Sequence, residues 1–148
     1  MYTKDYIVYK PRKTNNGAAS SWSLNVEKQS LFLEMSQQFS DGVKREDKKV
    51  FDWDNKAIMK LGIADIGSLI SVFEKREPVA KLFHEHPNGT DNSSLKVDTN
   101  NDRGGWFVTM GVKKGGGDVR QISHSLTFAE GTILLVLLKQ AVLRFYGW

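Results

Sequence analysis

Apolar and polar positions alternate along much of the first half of the chain, which is the period of a strand with one buried face. Tyr6 to Arg12 opens the series, rich in aromatic and β-branched residues. Trp22, Leu24 and Val26 alternate with Ser23 and Asn25, and Leu31, Leu33 and Met35 alternate with Phe32, Glu34 and Ser36. Glu27 to Gln29 is the expected hairpin between these two strands. After a polar loop, Ser40 to Asp47, a fourth strand is expected over Lys48 to Leu61, with apolar Phe51, Trp53, Ile58 and Leu61. Asp54-Asn55 in its middle predicts a bulge, a kink or a tight turn. The period then changes. Ile63, Ile66, Leu69, Ile70 and Phe73 recur at helical spacing, so a helix is expected over Ile63 to Glu74, and Pro78 closes that unit.

The second half repeats this order. Strands are expected at Val79 to Glu85, Leu95 to Asp98, Trp106 to Val112 and Val119 to Leu126, with turns at Asn88-Gly89, Asn100 to Gly105 and Lys114 to Asp118. Thr127 followed three residues later by Glu130 is a capping box, so a long helix starts there and runs to about Phe145. Short strand connections favour antiparallel meanders. The expected class is α+β: two antiparallel four-stranded sheets, each followed by a helix. It forms a single domain, 1–148, made of half-units 1–74 and 75–148. The consecutive Leu134, Leu135, Val136, Leu137 and Leu138 point all round the last helix, and a helix apolar on all sides needs cover on all sides. One chain of this size cannot supply that readily. Oligomerisation through the helices is therefore expected, in preference to a monomer with the helix between its sheets.

Composition narrows the function without naming it. Hydrophobic residues make up 40% and charged residues 26%, a globular balance. There are 21 basic against 17 acidic residues, a net +4 that permits an acidic partner such as nucleic acid but does not demand one. Cysteine is absent, which excludes disulfides, thiolate zinc sites and thiol catalysis. The longest apolar run, Ile133 to Leu138, is far short of the ~20 residues of a membrane span. No membrane partner is expected. The N-terminal residues lack the apolar core of a signal peptide, so an intracellular location is expected.

Several segments, in order, resemble the Whirly family of single-stranded DNA-binding proteins. Phe51-Asp52-Trp53-Asp54-Asn55-Lys56 is similar to the family's Tyr-Asp-Trp-like strand. Asp65-Ile66-Gly67-Ser68-Leu69-Ile70-Ser71 is similar to its first helix, Leu82-Phe83-His84-Glu85-His86-Pro87 to the following strand end, and Thr127 through Gly147-Trp148 to its second helix. The resemblance spans about Tyr6 to Trp148. It implies two antiparallel sheets packed on helices, a homotetramer joined through a helical core, and largely sequence-independent binding of single strands across the sheets and between protomers. Trypanosomal guide-RNA-binding proteins share that fold, so RNA stays open as a ligand beside DNA. One departure stands out: where the family's first strand carries Lys-Gly-Lys-Ala-Ala-Leu, this chain has Tyr9-Lys10-Pro11-Arg12-Lys13-Thr14, which keeps two basic positions and loses the glycine and the small residues.

A sequence-indifferent single-strand binder needs aromatic faces for bases and cations for phosphates. Tyr6, Tyr9, Lys10, Arg12 and Lys13 form the densest such cluster, and Trp22, Phe32, Phe51, Trp53 and Lys56 form a second. Core burial is the competing role for each ring. Trp106 and Phe107 are neighbours on one strand, so one of them must face away from the core. Lys113, Lys114 and Arg120 flank a glycine-rich hairpin, read here as solvated charges because the stretch lacks the P-loop pattern and opens no helix. His84 and His86 share a strand face without an evident third ligand, so no metal or other cofactor is expected. The alternatives are a metal-dependent nuclease using Asp52 and Asp54, which share a face if their strand is regular, together with His84 or His86; an RNA-binding or annealing protein; and a purely structural assembly protein defined by the apolar helix. The expected protein is not an enzyme, and no residue is assigned a catalytic role.

Overall fold

The computed structural model describes residues 3–46 and 49–148. Four strands, β1 (Tyr6–Lys10), β2 (Ala18–Asn25), β3 (Ser30–Gln37) and β4 (Ala57–Leu61), pair as an antiparallel meander in the order β1-β2-β3-β4. Helix α1 (Ile63–Phe73) follows. Strands β5 (Val79–Glu85), β6 (Asn92–Thr99), β7 (Trp106–Lys113) and β8 (Arg120–Leu126) form the second meander in the same order, and α2 (Phe128–Tyr146) closes the chain. The repeat of four strands and a helix is as expected.

Element limits depart from expectation where local chemistry intervenes. β1 stops at Lys10, since Pro11 has no N–H to continue a ladder. β2 starts earlier than its large apolar residues do, at Ala18. β6 extends over Asn92–Thr99, beyond the short apolar stretch that announces it. The expected fourth strand is broken. Phe51 makes a lone bridge with Gln38, Trp53–Asn55 form a 3-10 turn, and only Ala57–Leu61 is a strand. The Asn55 amide donates to the Asp52 carboxylate at 2.9 Å and holds that turn. Asp47 and Lys48, which the expected loop and strand included, lie outside the described residues.

The buried faces follow the alternation. In the first sheet Val8, Trp22, Leu33, Met35, Met59 and Leu61 point inward; in the second Leu95, Val97, Trp106, Val108, Met110 and Ile122 do. Both helices pack on this layer and on each other. Trp106 anchors it, meeting Phe73 of α1 edge-on at 5.1 Å and Phe128 of α2 at 5.6 Å. α2 enters through its predicted cap: Thr127 Oγ1 accepts the Glu130 N–H at 3.1 Å, and Glu130 Oε1 accepts the Thr127 N–H at 2.9 Å. Only one side of α2 is covered within the chain. Leu134, Leu138 and Ala141 are buried, whereas Ile133, Val136, Leu137 and Leu143 are exposed.

The two sheets meet at β8. It packs close to β2 and β3 of the first sheet, and its inward His124 reaches Ser20 on the inner face of β2, so β8 crosses that face. Arg120, at its start, lies beside Lys56 and Ile58 at the β4 edge. Ser123, His124 and Ser125, towards its end, lie beside Tyr9 and Lys10 of β1. At the crossing a buried chain of hydrogen bonds joins the sheets. Trp22 Nε1–H donates to Ser20 Oγ at 3.0 Å, and Ser20 Oγ lies 2.8 Å from His124 Nε2. His124 Nδ1 lies 2.9 Å from the Ser125 carbonyl, which can only accept. That fixes the proton on Nδ1 and leaves Nε2 to accept from Ser20.

Candidate nucleic-acid interface

The first cluster of expected site residues divides between the two faces of its sheet. Tyr6, Val8 and Lys10 face the core with Trp22, while Ile7 and Tyr9 face outward. Tyr6 and Trp22 line a groove against α2 together with Leu134 and Leu137. Trp22 is buried, so it offers no face to a base; the reason is its register opposite Tyr6 and Leu33 on the inner side. Phe51 is also buried. Its ring packs 5.9 Å from Tyr9 on the outer side, where the row Tyr9, Ala19, Ser36 leaves room because two of its three members are small. Phe32 is half-buried on the outer face with the Lys28 ammonium 5.7 Å from its ring centre. Trp53 is half-buried in the 3-10 turn, and Lys13 is exposed in the β1–β2 loop.

Charges divide in the same way. Lys10 Nζ lies 2.6 Å from Glu130 and Lys56 Nζ 2.7 Å from Glu34, so both are already paired. Part burial opposes ionisation of Glu130, but Lys10 and the Thr127 N–H outweigh it and hold the carboxyl below its ordinary range. Arg12, Lys13 and Arg103 have no ion pair among the described residues.

What the fold assembles is a cleft of about 440 Å³ between the β1 edge and the end of β8. Tyr9, Lys10 and Arg12 line one wall, and Arg103, Phe107, Ser123 and Ser125 the other. Both arginines stand on backbone locked by a buried amide. The Gln38 side chain accepts from the N–H groups of Arg12 and Gly17 at 2.8 and 3.0 Å and donates to the Arg12 carbonyl at 3.1 Å. Asn100 Oδ1 accepts from the Arg103 N–H at 3.3 Å, and the Asn100 carbonyl accepts from the Gly104 N–H at 2.9 Å. Phe107 is 45% exposed beside these charges, while its neighbour Trp106 is buried, which answers which of the two faces outward. A second exposed ring, Phe83 at 59%, lies on the same outer face of that sheet with Lys81, two residues away on β5.

Arg103, Phe107, Ser123 and Ser125 were not singled out as binding residues from the sequence. For Phe83 the signal was there: it alternates with Ala80, Leu82 and His84 and so falls on the polar face with Lys81 and Glu85. Arg103 carried no signal, because its loop reaches the β1 edge only through the packing of the two sheets.

The other candidate chemistries are not assembled. Asp52 precedes the 3-10 turn and Asp54 lies within it, so they are not same-face neighbours on a regular strand. His84 Nε2 sits 2.9 Å from the Asp65 carboxylate, tying β5 to α1, and the strand ends at Glu85 before His86. No group of three or more His, Asp or Glu placed to hold a metal occurs among the described residues. No described helix is long and apolar enough to cross a membrane.

The model of the Whirly transcription factor family matches residues 3–137. The chain belongs to the Whirly family. This family binds single-stranded nucleic acid. Solved structures with the same fold include WHY1 from Arabidopsis thaliana, 19% identical, with a TM-score of 0.74 over 100% of this chain and 93% of that one. The plant transcriptional regulator PBF-2 is 22% identical, with a TM-score of 0.74 over 98% of this chain and 83% of that one. A guide-RNA-binding protein complex bound to a guide RNA is 13% identical, with a TM-score of 0.73 over 97% and 92%. No curated protein matches the chain in sequence. At these identities the structures speak for the fold, and the family match spans almost all of the chain.

Proposed function

We propose that this Whirly protein binds single-stranded nucleic acid, DNA foremost, with little sequence preference and without a catalytic step. The observation that carries this reading is the cleft in which Arg12 and Arg103, from opposite half-units, flank the exposed Phe107 ring and the Ser123 and Ser125 hydroxyls. Two cations beside a ring and neutral donors suit a phosphate backbone with an unstacked base, and they read no base edge. A duplex keeps its bases paired and stacked and offers only their edges in the grooves, so it presents no free base face to the Phe107 ring. The exposed apolar side of α2 supports a homo-oligomer joined through the helices, with four copies as the family resemblance implies. Each copy brings a net +4 to the assembly.

Fluorescence anisotropy with labelled oligo-dT, oligo-U and a duplex of equal length tests this. Binding should favour the single strands and weaken steeply with salt, because each neutralised phosphate releases counterions. Phe107→Ala should weaken oligo-dT about tenfold, in the range of one lost stack. No affinity for oligo-dT at low salt, or preference for duplex, would overturn the reading. Tighter binding of oligo-U than oligo-dT would move the ligand from DNA to RNA.

A further inference from the structure

Three of the four sheet edges border other parts of the molecule. β8 crosses the inner face of the first sheet. β1 borders the cleft shared with Arg103 and Phe107, and β4 borders a second cleft shared with Lys113 and Arg120. β5 is different: among the described residues it pairs with β6 alone. Its seven residues include no proline or glycine and run one-to-one against β6 without a bulge. Those are the common devices that stop another strand from adding to an edge. The register tells which backbone groups are free. The His86 N–H donates to the Asp91 carbonyl at 3.0 Å, one step beyond the Glu85–Asn92 pair. At the other end of the strand the Pro78 carbonyl accepts from Thr99 Oγ1 at 3.1 Å. Bonded positions alternate along an antiparallel pair. Ala80, Leu82 and His84 therefore turn their N–H and C=O groups toward β6, and Lys81, Phe83 and Glu85 turn theirs out to the open edge.

The side chains at these three positions share the outer face of the sheet, and all three are exposed. Lys81 lies directly opposite Lys96, whose carboxylate partner is Asp98 at 3.3 Å. Neither Lys81 nor Glu85 has an ion pair among the described residues. The row reads cation, ring, anion, and reversed it is its own complement. We propose that β5 pairs antiparallel with β5 of a second copy about a twofold axis at Phe83, joining the second sheets of two chains edge to edge. Phe83 then faces Phe83 of the second copy, and Lys81 faces Glu85 of the second copy on either side of the axis. The backbone fits the same register. All three positions carry outward groups, so all become bonded pairs, with about six hydrogen bonds between the strands. A slip of one residue sets outward groups against inward ones and bonds none of them. A slip of two keeps the bonds but sets Lys81 opposite Phe83 and loses both charge pairs. The contact uses neither the exposed side of α2 nor the Arg12–Arg103 cleft, so it is a self-association surface separate from both. It is small, hence weak for single chains, and it strengthens where copies are already joined through α2.

The chain has no cysteine, so introduced cysteines report the register directly. Bonded partners in an antiparallel pair lie ~5.5 Å apart at Cα, within reach of a disulfide. Mild oxidation of F83C should give a covalent dimer on a denaturing gel, where contacts through α2 are dissolved. K81C alone and E85C alone should stay monomeric, since each lies ~13 Å along the strand from its own copy, while a mixture of the two should cross-link. K96C, on the same face but one strand in from the edge, is the control. Sedimentation over a concentration series is the second measurement. K81E and E85K each set like charges opposite one another on both sides of the axis, and each should weaken self-association at least about tenfold. The charge swap K81E/E85K should restore it to within about twofold, which a structural defect in β5 would not allow. Cross-linking of F83C no faster than that of K96C would overturn the pairing, and so would equal sedimentation of K81E, E85K and the unchanged protein. Loss of oligo-dT affinity in K81E with unchanged sedimentation would overturn it in favour of a nucleic-acid strand on this edge. No association beyond the α2 oligomer at ~1 mM chain would overturn it in favour of a strand from a different protein. Oligo-dT binding by the unchanged protein is measured separately, so a failure of the single-strand reading leaves the pairing standing.

Discussion

His124 ties the second sheet to the first through Ser20. Burial pushes its ring below the ordinary value of 6.5, the Ser125 carbonyl and Glu130 work against that shift, and Lys10 adds to it. A base with a lower pKa in the folded state binds fewer protons than in the unfolded chain, so stability falls as pH drops below about 6.5. The loss continues until the folded ring itself protonates. Glu74, Asp91 and Glu130 are held below their usual values, and they withdraw stability only at lower pH, as the carboxyls themselves take up protons. Urea midpoints measured between about pH 7 and pH 5 should therefore decline in the native protein. In His124→Gln that part of the decline should vanish, leaving a lower and flatter baseline. Gly131 gives a second residue-scale expectation. A Cβ there would lie 2.1 Å from the Trp106 ring, so Gly131→Ala must push Trp106 out of its contacts with Phe73 and Phe128. A cost of about 1–3 kcal/mol is expected, seen as a lower urea midpoint with unchanged slope. Neither effect is legible in the sequence, because each partner is remote along the chain: Ser20 for His124 and Trp106 for Gly131.

At the scale of elements, periodicity was a good guide wherever one face is buried and the other is wet. It placed β3, β5, β7, α1 and α2 closely. It was a poor guide where small or polar residues build a strand. Ala18, Ala19, Ser20 and Ser21 are buried in β2 without any apolar alternation, because β8 packs against the inner face that carries Ala18 and Ser20, and Tyr9 and Phe51 pack on the outer side beside Ala19. The continuous apolar run in α2 predicted cover on all sides, and the chain covers one side only. Val136 at 61% and Leu137 at 46% remain exposed in mid-helix. Replacing both by Glu should convert an oligomer to a folded monomer, with circular dichroism retained and the hydrodynamic size reduced. An unchanged size would remove α2 as the oligomer interface. The N-terminal cap of α2 is a milder lever: Thr127→Ala should cost about 1 kcal/mol, measured by urea unfolding.

At the scale of the molecule, the first expected cluster supplies only one wall of the cleft proposed to bind. Tyr9, Lys10 and Arg12 line that wall together, since they share one short segment. Their counterparts Arg103, Phe107, Ser123 and Ser125 belong to the other half-unit and join them only through the crossing of β8 over the first sheet. A whole-molecule consequence follows. Arg103→Ala should weaken binding to all single strands alike and reduce the salt slope by about 0.7, the share of one phosphate contact, with unfolding unchanged because the side chain is exposed.

The amino-acid sequence by itself determined the repeat of four strands and a helix, the antiparallel meanders, the capped second helix and the family. These rest on local periodicity, short connections and capping chemistry, all of which act between residues near one another in the chain. The tertiary structure alone decided which rings are buried, Trp22 and Phe51 among them, and which face solvent, Phe83 and Phe107. It alone brought arginines from both half-units to one cleft. Burial and charge proximity depend on how the sheets cross, and that crossing is set by the sum of many packed contacts rather than by any one segment.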